Sequence, residues 1–167
     1  KKKLVHKNIV IIGAGNMAWH LGHQFIKAGH KIVEVYNRSK IPGQDLAEEL
    51  DADFVDKPEN ITRKADVYII AVSDHGIDDI ILSLQMDKQI VAHTSGAVPM
   101  TGMERISLNH GIFYPLQTLT KGNEALGEAD DMTVLPTGDG GYWLTYTTQH
   151  FSVDNQTFDS KFQISRI

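Results

Sequence analysis

Short apolar runs alternate with amphipathic stretches from Lys7 to about Leu116. The first run, Ile9-Val10-Ile11-Ile12, lacks polar interruptions and predicts a strand over Asn8 to Ile12 that is buried on both faces. From about Asn16 to Ala28, Met17, Leu21, Phe25 and Ala28 recur at helical spacing. His20, His23, Gln24 and Lys27 fall on the wetter side, and Gly29 is placed to end the helix. Lys31 to Tyr36 predicts a second strand. A turn at Pro42-Gly43 leads into a short helix near Gln44 to Leu50, and Asp53 to Val55 predicts a short third strand. Val67 to Val72 is again fully apolar and predicts a strand entering the loop Ser73-Asp74-His75-Gly76. A helix around Ile77 to Leu84, a strand at Gln89 to His93, a helical turn near Pro99 to Ile106 and a strand at Gly111 to Tyr114 complete the series.

Strands that alternate with helices in this way predict an α/β fold: a Rossmann-type, doubly wound, mainly parallel sheet in the order 3-2-1-4-5-6. After about Gly122 the character changes. Glu124 to Asp131 is acidic, Gly138-Asp139-Gly140-Gly141 separates runs rich in Thr, Tyr, Trp, Val and Phe, and Tyr142 to Thr148 and Thr157 to Ile164 resemble hairpin strands. The chain therefore divides into an α/β domain over residues 1–124 and a β-rich C-terminal extension over residues 125–167. With 167 residues, 41% hydrophobic and 22% charged, it can bury one core with room for a small appended element.

The strongest chemical signal is a strand, then Gly13-x-Gly15-x-x-Ala18, then an amphipathic helix. Gly13 permits a tight turn, Gly15 lets backbone approach a diphosphate, and Ala18 replaces a third glycine where helix and strand pack closely. Gly13, Ala14, Gly15, Asn16 and Met17 are thus expected to hold a dinucleotide against the amino end of the helix. About twenty residues on, an acidic side chain would suit the free ribose of NAD. This chain instead offers Asn37-Arg38-Ser39, a guanidinium and two hydrogen-bonding groups suited to a 2'-phosphate, so the expected cofactor is NADP(H).

Val72, Ser73 and Asp74 follow a central strand, where open sheets bind ligands, and are expected to touch the cofactor; Asp74 as a helix cap is the structural alternative. His93-Thr94-Ser95-Gly96 follows the next strand and should lie toward the nicotinamide end. His93 and Ser95 are the catalytic candidates, because an imidazole exchanges protons near neutral pH and a hydroxyl can orient a carbonyl. Thr94, Gly96 and Tyr114 are candidate substrate contacts. Ser95 lacks the context of a hydrolase nucleophile. Eight histidines invite a metal reading, but His20 and His23 lack a carboxylate partner at ligand spacing, so no metal site is expected.

A net charge of -5 argues against a general electrostatic grip on nucleic acid and favours small-molecule partners. The absence of cysteine excludes disulfides and thiolate chemistry and fits a cytoplasmic setting. Lys1-Lys2-Lys3 before an apolar run superficially resembles a signal peptide, but the run stops at Gly13 after four residues. No membrane association is expected. The N-x-T sequences at Asn60 and Asn155 matter only in a secreted chain.

The glycine turn with Asn37-Arg38-Ser39 and the run Ala65-Asp66-Val67-Tyr68-Ile69-Ile70-Ala71-Val72 resembles the cofactor domain of pyrroline-5-carboxylate reductases and of F420-dependent NADP reductase-like proteins. His93-Thr94-Ser95-Gly96-Ala97 with Phe113-Tyr114-Pro115-Leu116-Gln117-Thr118 resembles the Rossmann-like NADP oxidoreductases that carry the domain of unknown function DUF2520. The resemblance covers about residues 5–124. It implies a following all-helical domain that forms a dimer and completes the substrate pocket. Residues 125–167 depart from that pattern, with a β-rich extension in the helical domain's place. The expectation is an oxidoreductase transferring a hydride between NADP(H) and a small carbonyl, hydroxy or imine substrate. The alternatives are a non-catalytic NADP-binding or sensing module acting through protein partners, and a homodimer assembled through the tail.

Overall fold

The computed structural model describes residues 6–113, together with the backbone of residues 129–136, 142–153 and 156–164. In chain order the elements are β1 (Asn8–Ile12), α1 (Asn16–Lys27), β2 (Lys31–Tyr36), α2 (Lys40–Glu49), β3 (Asp53–Val55), β4 (Val67–Ile70), α3 (Asp74–Ser83), β5 (Ile90–His93) and β6 (Asn109–Ile112). Single 3-10 turns occur at Pro58–Asn60 and Met103–Arg105. Strands β1 to β6 form one sheet in the order β3-β2-β1-β4-β5-β6, with every neighbouring pair parallel. This is the Rossmann-type doubly wound arrangement expected from the sequence. Three further strands, β7 (Ala129–Pro136), β8 (Tyr142–Val153) and β9 (Gln156–Ile164), pair antiparallel in that order.

Because side chains alternate along a strand, each central strand feeds two cores at once. Ile9 and Ile11 of β1 and Val67 and Ile69 of β4 pack into one layer with Ala18, Leu21 and Phe25 of α1 and Leu46 and Ala47 of α2. Val10, Ile12, Tyr68 and Ile70 point the other way, against Ile77, Ile80 and Ile81 of α3. The uninterrupted apolar runs of β1 and β4 follow from this, since neither face of either strand meets water. Phe25 is fully enclosed and anchors α1 to its layer.

Several element ends differ from the sequence expectation, each for a local reason. Helix α2 begins at Lys40, about four residues before the expected start near Gln44. Pro42 lies in its first turn, where the missing N-H has no carbonyl to meet, and the Gly43 N-H donates to the Ser39 carbonyl at 3.3 Å. Helix α3 begins at Asp74, not Ile77, so Asp74-His75-Gly76 is its first turn. Asp74 follows the N-cap residue Ser73 and is itself not the cap. Strand β4 ends at Ile70, two residues early, and β6 occupies Asn109–Ile112, not Gly111 to Tyr114. Pro99 to Ile106 holds only the short 3-10 turn. At the end of α1, Ala28 is the C-cap and Gly29 comes next at φ +85°, with His30 N-H to Phe25 O and Gly29 N-H to Ile26 O both at 2.9 Å. Strand β7 begins within the acidic stretch. Tyr114-Pro115-Leu116-Gln117 lies outside the described residues.

One buried charge carries a stability consequence. Glu34 of β2 is buried, accepts the Thr62 N-H at 3.0 Å and pairs in register with Asp53 of β3. Burial raises its pKa above the ordinary carboxylate value, the Thr62 hydrogen bond opposes that shift, and the Asp53 charge adds to it. A folded-state pKa above the unfolded one means a stabilising contribution that is whole at low pH and lost as pH rises through the folded value. Glu34→Gln keeps an oxygen for Thr62 without the charge. It is expected to be more stable than the wild type at pH 7, with the gap closing as the pH falls below the ordinary carboxylate range. Urea unfolding at several pH values measures the gap, and a gap independent of pH would contradict the assignment.

Candidate functional site

Strand order reverses between β1 and β4, so the loops leaving these neighbours run to opposite sides and open a crevice at their carboxyl ends. Gly13 lies at its floor. Its φ is +120°, and a Cβ there would sit 2.3 Å from the Ala71 carbonyl oxygen. Only glycine allows the backbone leaving β1 to cross the end of β4 so closely. The Gly13 N-H donates to Tyr36 O and the Ala71 N-H to Ile12 O, both at 2.7 Å, which ties the ends of β2, β1 and β4 together.

The chain then turns directly into α1. Gly15 is the N-cap residue, no side chain caps the helix, and Trp19 N-H to Gly15 O at 3.0 Å is the first hydrogen bond of the helical ladder. The amides of Asn16, Met17 and Ala18 precede that bond and have no carbonyl one turn back. Gly15 and Asn16 are exposed, and a Cβ on Gly15 would meet nothing within 4 Å. A cluster of uncapped amides behind an unfilled glycine position suits a diphosphate on charge and on shape.

A cavity of about 260 Å³ opens from Gly13, Ala14 and Gly15. Its second wall is the end of β2, Tyr36 to Ser39. Asn37 holds that bend: its N-H donates to Val55 O at 3.2 Å and its Nδ2 to Ser39 O at 2.7 Å. Arg38 is exposed, lines the cavity and forms no ion pair among the described residues. Ser39 lines it too and is the N-cap of α2, again without a side-chain hydrogen bond to the helix. The earlier start of α2 therefore puts a second helix amino end beside Arg38. The third wall runs from Ala71 through Val72 and Ser73 to Gly76, Asp79 and Ile80 of α3. Tyr36 is buried at the junction of the walls. Burial raises its phenol pKa, Arg38 opposes that shift, and Glu59, Asp56 and Asp79 add to it.

The end of β5 has a different character. His93 is completely enclosed; its Nδ1 accepts the Ser95 N-H at 3.2 Å, and its Nε2 is buried without a hydrogen bond among the described residues. Burial lowers its pKa, with the Pro99 backbone and the Asp74 charge pulling the other way. Ser95 is buried and its Oγ accepts the N-H groups of Ala97 and Val98, each at 3.1 Å. Thr94 is buried and donates from Oγ1 to Ile70 O at 3.4 Å, while Gly96 is exposed. None of these four residues lines the cavity, and neither do Asn16, Met17 and Asp74. Tyr114 lies outside the described residues.

Residues 8–95 match the profile of a family described as NADP oxidoreductase, coenzyme F420-dependent. The chain belongs to that family. Among solved structures, this NADP oxidoreductase family member is similar to a protein from Bacteroides fragilis assigned as an NADP oxidoreductase, at 30% identity and TM-score 0.66 over 71% of this chain and 47% of that one. It is also similar in fold to a pyrroline-5-carboxylate reductase from Coxiella burnetii, at 23% identity and TM-score 0.55 over 66% of this chain and 43% of that one. A prephenate dehydrogenase from A. aeolicus, crystallised with hydroxyphenyl propionate and NAD+, gives 16% identity and TM-score 0.61 over 72% of this chain and 45% of that one. The chain thus spans under half the length of these structures. No curated protein matches it. Among the described residues no helix is long and apolar enough to cross a membrane, and no group of His, Asp and Glu side chains could hold a metal ion.

The structure brings the glycine turn, Asn37-Arg38-Ser39 and Val72-Ser73 of this family member onto one cavity. Sequence reasoning missed Tyr36, Ala71, Gly76, Asp79 and Ile80. The last three stand at i, i+3 and i+4, and that spacing was hidden because the first turn of α3 has the composition of a loop.

The two glycines of the turn should separate on substitution. Gly13→Ala introduces both a backbone clash and a disfavoured φ, and is expected to cost about 2 to 4 kcal/mol of stability. Gly15 is extended at φ -81° and meets no clash, so Gly15→Ala should cost no more than about 1 kcal/mol, the loss of glycine's advantage at an N-cap. Urea unfolding of both variants checks this, and equal losses would contradict it.

Proposed function

We propose that the chain binds NADP(H) in this cavity and serves hydride transfer between that cofactor and a small carbonyl, hydroxy or imine substrate. The observation that carries the reading is the open amino end of α1 at the strand-order reversal, facing Arg38 and Ser39 across one cavity. The nicotinamide ring, when bound, supplies the hydride, and the protein supplies binding, orientation and electrostatics.

In this reading the backbone of Gly13, Ala14 and Gly15 and the amides of Asn16 and Met17 hold the diphosphate. Asn37 fixes the bend from which Arg38 and Ser39 take the 2'-phosphate, and the amino end of α2 adds a favourable dipole there. Val72 and Ser73 border the adenosine half, while Asp74 opens α3 just outside the cavity lining. The segment after β5 belongs to the substrate end in this reading: His93, which holds the Ser95 amide, and Ser95 are the catalytic candidates, and Thr94, Gly96 and Tyr114 are the candidate substrate contacts. The segments His93 to Ala97 and Phe113 to Thr118 support placing the chain with the DUF2520-bearing NADP oxidoreductases; a cytoplasmic setting, which the absence of cysteine fits, and a homodimer complete the proposal.

The assignment of the 2'-phosphate is tested by titrating NADPH and NADH fluorescence against the wild type and Arg38→Ala. Loss of a charged hydrogen bond should weaken NADPH by about 1 to 3 kcal/mol and leave NADH nearly unchanged. Equal weakening of both would contradict it.

A further inference from the structure

The face that α3 turns to the cavity has a composition of its own. Gly76, Asp79 and Ile80 lie on one stripe of the helix and all border the cavity. Gly76 leaves the helix backbone bare: a Cβ there would already lie 3.3 Å from Val72 Cγ2 and 3.6 Å from Ser73 Oγ. Ile80 is buried and apolar, and Val72 continues the same apolar border. This makes a low, smooth strip, with the exposed side chain of Asp79 at its rim. Across the cavity are Arg38 and the buried Tyr36, whose phenol feels the opposite charges of Arg38 and Asp79.

A cavity for an anionic dinucleotide has little use for a carboxylate unless a donor meets it, because an ionised carboxylate only accepts hydrogen bonds. Phosphate oxygens and adenine ring nitrogens also only accept. The donors on the adenosine half are the ribose hydroxyls and the 6-amino group of the base. Arg38 and Ser39 sit at the end of β2, the position that handles the ribose and its phosphate, whereas Asp79 sits beside the apolar strip that suits a flat ring. Resting on the cofactor reading above, we infer that Asp79 reads the base, accepting a hydrogen bond from the 6-amino group of an adenine seated on Gly76 and Ile80. Asp79 is then a specificity-determining residue that selects adenine over 6-oxopurines, whose exocyclic oxygen would face the carboxylate.

The test measures the affinities of NADPH and of its hypoxanthine analogue by fluorescence titration of the wild type, Asp79→Ala and Asp79→Asn. The wild type should bind the adenine form about tenfold more tightly. Asp79→Ala should bring the two within about twofold, and Asp79→Asn, whose amide can accept from the 6-amino group or donate to a 6-oxo group, should likewise lose most of the preference. Equal binding of both by the wild type, or an undiminished preference in Asp79→Ala, would overturn the inference. So would an equal change for both ligands in Asp79→Ala: equal weakening assigns the carboxylate to a ribose hydroxyl, and equal tightening makes it only repulsive to phosphate. If the wild type binds neither dinucleotide, the cofactor reading fails and this inference falls with it; the other outcomes leave that reading standing.

Discussion

The close crossing of Gly13 over the carbonyl end of β4 is the constraint on which the rest of the site depends. At that point the backbone leaving β1 comes so near Ala71 that no side chain fits, and the same residue donates to Tyr36 at the end of β2. Three strand ends are thereby locked in one arrangement. The chain has no room for a loop and must enter α1 at once, which leaves the helix amino end uncapped and pointed into the crevice. Binding geometry here is a product of sheet packing. The two apolar cores, one on each face of β1 and β4, hold the crossing in place.

The second wall depends on the first through Tyr36. Its carbonyl accepts from Gly13, its ring fills the junction, and the next three residues bend away under the hydrogen bonds of Asn37. Arg38 is thus presented to the cavity by a fixed bend. The third wall is rigid for a different reason: Ile77, Ile80 and Ile81 anchor α3 to the sheet, so the Gly76 and Asp79 positions have little freedom. A cavity with one cationic and one anionic side chain on opposing walls suits a ligand that is itself polar at both ends.

Much of this was legible in the sequence because it rests on short-range rules. The unbroken apolar runs Ile9 to Ile12 and Val67 to Ile70 match strands buried on both faces, and a glycine turn between the first strand and an amphipathic helix dictates how the chain leaves β1. Asn37-Arg38-Ser39 was found for the same reason, as it falls at the end of β2. The helix starts were not legible. Pro42 and Gly43, and Asp74 to Gly76, carry residues typical of turns, yet first-turn positions need no hydrogen bond to a preceding carbonyl and accept them. Reading α3 three residues late concealed the stripe of Gly76, Asp79 and Ile80. The depth of His93 and the backbone hydrogen bonds of Ser95 at the end of β5 depend on tertiary packing that spacing alone does not encode.

The proposed function stands on a dinucleotide diphosphate seated at the amino end of α1. The most direct measurement is an amide-resolved NMR titration of the chain with NADP+. The amides of Gly15, Asn16, Met17 and Ala18 should shift together with those of Arg38 and Ser39 in one saturable process. Saturation with those amides unmoved, and with shifts gathered instead around Lys7, Asp66 and Lys88 at the opposite end of the sheet, would contradict it.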